Sequence, residues 1–60
     1  MNEYQVIFNY TSEITGKTEE VAADYRTEVE AVRQINHVNR VSNLELISYS
    51  DNINPAAFRS

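Results

Sequence analysis

Side chains that could bind an anion lie close together in one segment of the chain. Arg33, His37 and Arg40 follow i, i+4, i+7 spacing, which places them along one side of a helix with Asn36 beside them. Such a row could contact phosphate or another anion. A solvated helix face is the favoured interpretation, because the chain has a net charge of −4 and the row contains only two permanent cations.

Acidic residues outnumber basic ones by nine to five. Concentrated around the predicted hairpin, they could present a negative surface to a basic protein, in the manner of small inhibitors that imitate nucleic acid. Ordinary solubilising charge is the favoured interpretation. The nine are Glu3, Glu13, Glu19, Glu20, Asp24, Glu28, Glu30, Glu45 and Asp51.

Catalytic and metal-binding chemistry find little support in the residue types present. The chain has one His, no Cys and one Gly. A closed metal site needs about four convergent ligands, and His37 has no His or Cys companion. Gly16 alone cannot form the glycine-rich loop that cradles phosphates. We therefore expect a protein that is not an enzyme, with no catalytic residues, no metal and no cofactor.

The helix that would carry the basic row has clear boundaries. Thr27 and Glu30 form a capping box, in which the Thr hydroxyl accepts from the Glu30 amide and the carboxylate returns to the Thr27 amide. Asn43 suits the left-handed conformation that often ends a helix. The pattern predicts a helix at about 28–41 with a narrow apolar stripe facing a sheet. The stripe consists of Ala31, Val32, Ile35 and Val38.

The other elements predict an α+β fold with the element order β-β-α-β. The strands are expected at about 3–11, 18–26 and 44–50. A strand that enters a helix and returns to the same sheet makes a right-handed crossover, so the third strand should lie parallel to the second. The first strand is richest in large apolar groups and should be central, which gives the spatial order 3-1-2.

One domain over residues 1–60 is expected, with a tail at 51–60. Asn54 and Pro55 suit the cap and first position of one short helical turn. Phe58 would then be an apolar anchor that folds back on the domain or contacts a partner. A frayed terminus is the alternative.

The only glycine lies between the first two predicted strands and favours a hairpin. If Thr15 and Gly16 are the central residues of a two-residue turn, apolar positions of the two strands meet throughout. A one-residue shift would turn one apolar set to the wrong side, and a type I turn with a Gly bulge is the close alternative. The expected pairs are Tyr10 with Val21, Phe8 with Ala23, and Val6 with Tyr25.

Apolar residues occupy both sides of the third predicted strand. We expect Leu44 and Leu46 to face the helix, which can cover only one side of the sheet. The other apolar residues of this strand would join those of the first two strands on the uncovered side, where a contiguous patch would mark a contact surface. Isolated exposed residues at a twisted edge are the alternative. The expected protein interface consists of Ile7, Ala22, Ile47 and Tyr49.

Chain length favours assembly with another protein. A 60-residue domain buries only about 60% of its unfolded surface, and without disulfides or a metal the remaining stabilising route is oligomerisation. The start of the chain lacks the features of a signal peptide and no apolar run is long enough to span a membrane, which favours a cytoplasmic protein. We expect a homodimeric protein-interaction module with an accessory, regulatory or inhibitory role. Nucleic-acid binding by the helix row and acidic mimicry of nucleic acid are the alternatives.

Overall fold

The computed structural model describes residues 3–58 and contains one sheet with one helix packed on it. Spatially the strands are ordered β2-β1-β3, and β1 is antiparallel to both neighbours, so β2 and β3 run parallel. The predicted α+β fold and its strand order 3-1-2 are confirmed. The elements are β1 at Tyr4–Thr11, β2 at Thr18–Tyr25, α1 at Glu28–Arg40, β3 at Leu44–Tyr49 and a short 3-10 helix at Pro55–Phe58.

Helix α1 starts at the predicted cap. Thr27 has an extended backbone (φ −124°, ψ 150°), and its hydroxyl accepts a hydrogen bond from the Glu30 amide at 3.3 Å. The prediction that the Glu30 carboxylate accepts from the Thr27 amide is wrong. That carboxylate instead accepts a hydrogen bond from the Thr27 hydroxyl at 2.9 Å. The negative first turn complements the exposed amides there.

The end of α1 differs from the prediction. Val41 is the C-cap, with an extended backbone and an amide that donates to the His37 carbonyl at 3.2 Å. The prediction that Asn43 adopts the left-handed conformation is wrong, because no non-glycine residue in the described range has a positive φ. Asn43 instead joins the sheet: its carbonyl accepts from the Thr11 amide at 2.9 Å and its side-chain amide donates to the Thr11 carbonyl at 3.2 Å.

The core lies between α1 and one side of the sheet. All four residues of the predicted apolar stripe are buried, and they pack with Val6 and Phe8 of the central strand. Burying a Val, Ile or Phe side chain stabilises the fold by roughly 1.5–3 kcal/mol relative to leaving it exposed. Leu44 and Leu46 pack against this core as predicted. The half-buried apolar residues around it are Tyr4, Val21, Ala23, Tyr25, Leu44 and Leu46.

The tail contributes a core residue that the sequence pattern did not identify. Ile53 is buried at 6% exposure, after a turn in which its amide donates to the Ser50 carbonyl at 3.1 Å. Asn54 caps the short 3-10 helix as predicted, since its side-chain oxygen accepts from the Ala56 amide at 3.2 Å. Its own amide donates to the Glu28 carboxylate at 2.9 Å and ties the tail to the first turn of α1. The expected Phe58 anchor lies outside the described side chains.

The hairpin loop between β1 and β2 is longer than predicted. The Ser12 amide donates to the Lys17 carbonyl at 2.9 Å, which leaves four residues in the loop. The Ser12 hydroxyl accepts from the amides of Ile14 and Thr15, and the Ser12 carbonyl accepts from the Gly16 amide at 2.8 Å. Gly16 takes the left-handed conformation (φ 73°) that this closure requires. The two-residue turn is therefore wrong.

This longer loop moves the hairpin register by two residues. A two-residue shift preserves the alternation of sides, so each side chain still lies on the predicted side of the sheet. The predicted pairs are wrong in each case, although apolar residues still meet along most of the strands. The observed pairs include Tyr4 with Tyr25, Val6 with Ala23, Phe8 with Val21, and Tyr10 with Glu19.

A β-bulge in β3 changes the side on which its last residues lie. The pairing of β3 with β1 is interrupted once, and Ile47 is the extra residue there. Beyond the bulge, Tyr49 pairs with the core residue Val6, and paired residues share a side of the sheet. The prediction that Tyr49 lies on the uncovered side is therefore wrong, because the extra residue shifts the alternation by one.

Candidate protein interface on the open face of the sheet

The side of the sheet opposite α1 carries no second layer within residues 3–58. Its side chains are those that alternate with the buried residues of β1, together with their partners on the outer strands. We call this surface the open face. It consists of Gln5, Ile7, Asn9 and Thr11 of β1, Thr18, Glu20, Ala22 and Asp24 of β2, and Glu45 and Ser48 of β3.

Three carboxylates lie on the open face, and all are exposed. Glu20 and Glu45 pair with Asn9 from its two sides, so they lie two strand spacings apart, or about 10 Å. Asp24 pairs with Gln5 at the other end of the same strands. The open face contains no Lys or Arg, so its formal charge is −3.

The apolar part of the open face is small and central. Ile7 is half-buried and pairs directly with Ala22 on one side and with Ser48 on the other. Ile47 sits in the bulge next to Ser48 and is 46% exposed. Of the four predicted interface residues, the structure therefore pairs Ile7 with Ala22, leaves Ile47 unpaired in the bulge and moves Tyr49 to the helix side.

Several polar residues of this surface were not singled out from the sequence. Gln5 and Asn9 alternate with Val6 and Phe8, so the period of two in β1 was the signal that could have found them. Hydroxyl groups of Thr11 and Thr18 lie 2.9 Å apart across the strands and close the hairpin end of the open face.

The predicted basic row lies on the opposite surface of the molecule. Arg33, His37 and Arg40 are exposed on the side of α1 that faces away from the sheet, and Asn36 beside them is half-buried. The molecule is 34 × 27 × 14 Å, so the row and the open face are the two broad surfaces of a thin plate. Their formal charges are of opposite sign.

The Tyr25 phenol has a pKa above its ordinary value. Burial raises the pKa of the Tyr25 phenol, and the charge of Glu30 acts in the same direction. The phenol lies on the helix side of β2 next to the start of α1, so its packing explains the shift without any catalytic role. Within residues 3–58, no three His, Cys, Asp or Glu side chains converge in the way that a metal site requires.

Comparisons with protein-family models, with curated proteins and with solved structures found no match. The interpretation of the open face therefore rests on its own residues. In the described part of the chain, no helix has the length and apolar character needed to cross a membrane.

Proposed function

We propose that this chain is a non-enzymatic protein-interaction module that binds a positively charged surface of another protein through its open face. The observation that carries this proposal is the composition of that surface, where three carboxylates surround Ile7 and Ala22 and no basic side chain is present. Carboxylates at the rim of a contact speed the encounter with a basic partner and orient it. The central apolar pair supplies the part of the contact from which water is excluded.

The size of the open face limits the strength of this contact. Three strands of up to eight residues cover about 14 by 27 Å, on the order of 400 Å². A stable complex buries about 800 Å² on each partner. Binding through the open face alone would therefore be weak or transient, which suits an accessory, regulatory or inhibitory protein, including one that occupies a nucleic-acid-binding surface.

A second copy of the chain fits the open face less well than a basic partner does. Two copies meeting through this surface would bring three carboxylates against three, and like charges across a contact destabilise it. The homodimer expected from chain length therefore requires a different surface. We accordingly commit to a basic protein as the partner of the open face.

The proposal is tested by charge reversal with a matched control. Wild-type protein, the Glu20→Lys and Glu45→Lys double variant, and a Glu13→Lys and Asp51→Lys double variant are used for affinity capture from the native cells. The control changes the net charge equally at exposed positions outside the open face. Circular dichroism verifies that all three proteins are folded.

We expect proteins with basic surfaces to be captured by the wild type and by the control, and to be lost with the open-face variant. Equal capture by all three proteins would contradict the proposal. Loss in both variants would also contradict it, because that result indicates a dependence on net charge alone.

A further inference from the structure

The two edges of this sheet differ in how well they are protected against pairing with another strand. Native proteins protect edges with short strands, bulges, Pro or charged side chains, Lys above all. β3 has six residues and carries the bulge at Ile47. β2 has eight residues, pairs with β1 without irregularity and contains no Pro, Gly or Lys. Its charged residues are all acidic, so β2 is the edge that remains suited to addition of a basic strand.

Hydrogen bonding in the hairpin identifies the free backbone groups of β2. The Ser12 amide donates to the Lys17 carbonyl and the pairing continues without irregularity, so every second residue from Glu19 onward directs its amide and carbonyl toward β1. The intervening residues direct theirs away from the sheet, where no described strand lies. These four residues are Thr18, Glu20, Ala22 and Asp24, and all are exposed.

The side chains along this edge define what an added strand must contain. On the open face, Glu20 and Asp24 flank Ala22, so an added strand would meet two carboxylates two positions on either side of a methyl group. On the helix side, Val21, Ala23 and Tyr25 are half-buried against the core. Favourable cross-strand pairs join opposite charges on one side and apolar groups on the other.

We propose that an extended segment of a partner protein, with basic and apolar residues in alternation, adds as a fourth strand to the free edge of β2. Its Lys or Arg side chains contact Glu20 and Asp24, and its apolar side chains cover the exposed parts of Val21 and Tyr25. This inference rests on the proposed function and names the partner's chemistry. Strand addition also gives a larger contact than the small open face alone. An added strand supplies main-chain hydrogen bonds and extends the contact to the edge of the sheet.

A second copy of β2 satisfies these requirements poorly. The strand contains Glu19, Glu20 and Asp24 and no basic residue, so pairing with itself brings like charges to the same edge. Centred on Ala22, antiparallel self-pairing would place Glu20 directly opposite Asp24 of the other copy. A basic and apolar strand has no such conflict.

The test uses three capped peptides of about eight residues, the length of β2. The first alternates Lys and Val, the second has the same composition with Lys and Val in separate blocks, and the third is the alternating peptide with every second backbone amide methylated. All three carry the same charge. Binding is followed by NMR titration and by hydrogen exchange of the amides of Glu20, Ala22 and Asp24.

We expect the alternating peptide to slow exchange of these three amides at least tenfold, and the block and methylated peptides to leave it unchanged. Ala22→Pro, which removes one outward amide and no bond to β1, should weaken binding of the alternating peptide at least tenfold. The methylated peptide gives the same information without altering the protein.

Equal binding of all three peptides, lost in the Glu20→Lys and Glu45→Lys variant, would overturn strand addition and leave the proposed function standing. Binding that this variant retains would overturn the charge argument on which both depend. Protection of the three amides in the absence of peptide, increasing with protein concentration, would overturn strand addition by a partner and indicate that a second copy occupies the edge.

Discussion

The helix side and the open face of the sheet are formed by the same three strands, yet they differ in burial and charge. Along β1, Val6 and Phe8 are buried, whereas the residues that alternate with them, Gln5, Ile7 and Asn9, remain at least partly accessible. Because side chains alternate with a period of two, one strand can supply a core and a surface at once. Within residues 3–58, the sheet has α1 packed on one side and no second layer on the other. Its uncovered side is therefore where selection can act on binding without altering the core.

The outer surface of α1 extends this comparison to charge. Its basic row contributes two permanent cations, whereas the charged side chains of the open face are all carboxylates. The two surfaces face away from each other across the thin dimension of the molecule. Such a separation of charge would orient the protein as it approaches a basic partner, with the open face leading.

The largest expected difference is between the loss of an isoleucine side chain in the core and the loss of one in the bulge of β3. Ile35 is 2% exposed and Ile47 is 46% exposed. Ile35→Ala should lower the free energy of unfolding by roughly 2–4 kcal/mol, because it leaves a cavity between helix and sheet. Ile47→Ala should cost less than about 1 kcal/mol, since half of its side chain already contacts water. Urea denaturation of both variants measures the difference, and similar losses would show that the bulge packs as part of the core.

A smaller loss of stability is expected from a substitution at the start of α1. The helix covers the sheet only if its first turn is formed. Thr27→Ala removes the hydroxyl that accepts from the Glu30 amide and donates to its carboxylate. The loss should be about 1 kcal/mol, as for other N-cap replacements. Thr27→Ser keeps the hydroxyl and should retain most of the stability. Thermal unfolding of the two variants makes the comparison, and equal losses would mean that the Thr methyl group, rather than the cap, matters.

The smallest expected effect lies on the open face itself. Glu45 lies about 10 Å from Glu20 across the sheet, and two unit charges at that distance in water interact by only about 0.4 kcal/mol. Glu45→Lys should therefore raise the unfolding free energy by a few tenths of a kcal/mol at low salt and by less at high salt. Asp51→Lys is the matched control outside the sheet. A loss above about 1 kcal/mol on urea denaturation of the Glu45 variant would indicate that Glu45 stabilises the fold rather than a complex.

Local sequence features determined the elements and much of their arrangement. Three local patterns predict which segments are helix and which are strand: the capping residue Thr27, the apolar stripe of α1 and the alternation of β1. Each pattern depends only on residues that are close together in the sequence. The strand order follows from the crossover through α1 and from the apolar content of β1. Ile7, Ala22 and the exposed basic row could be placed on their surfaces for the same reason.

Tertiary structure decided the hairpin register. The predicted and observed registers differ by two residues, and both keep the apolar side of each strand toward the helix, so alternation cannot distinguish them. The hydrogen bonds of Ser12 around the loop do distinguish them. The burial of Ile53 is likewise set by where the tail returns to the helix, which no local pattern specifies.

The bulge in β3 is also fixed by contacts at its two ends. Asn43 bonds to Thr11 before the strand, and Ser50 bonds to Gln5 after it. Six residues of β3 therefore lie opposite the five of β1 at positions 6–10, and one residue must be extra. This mismatch moved Tyr49 from the predicted interface to the helix side. The sequence alone predicted that the helix leaves one side of the sheet uncovered, and only the long-range pairing of strand ends decided which residues lie on it.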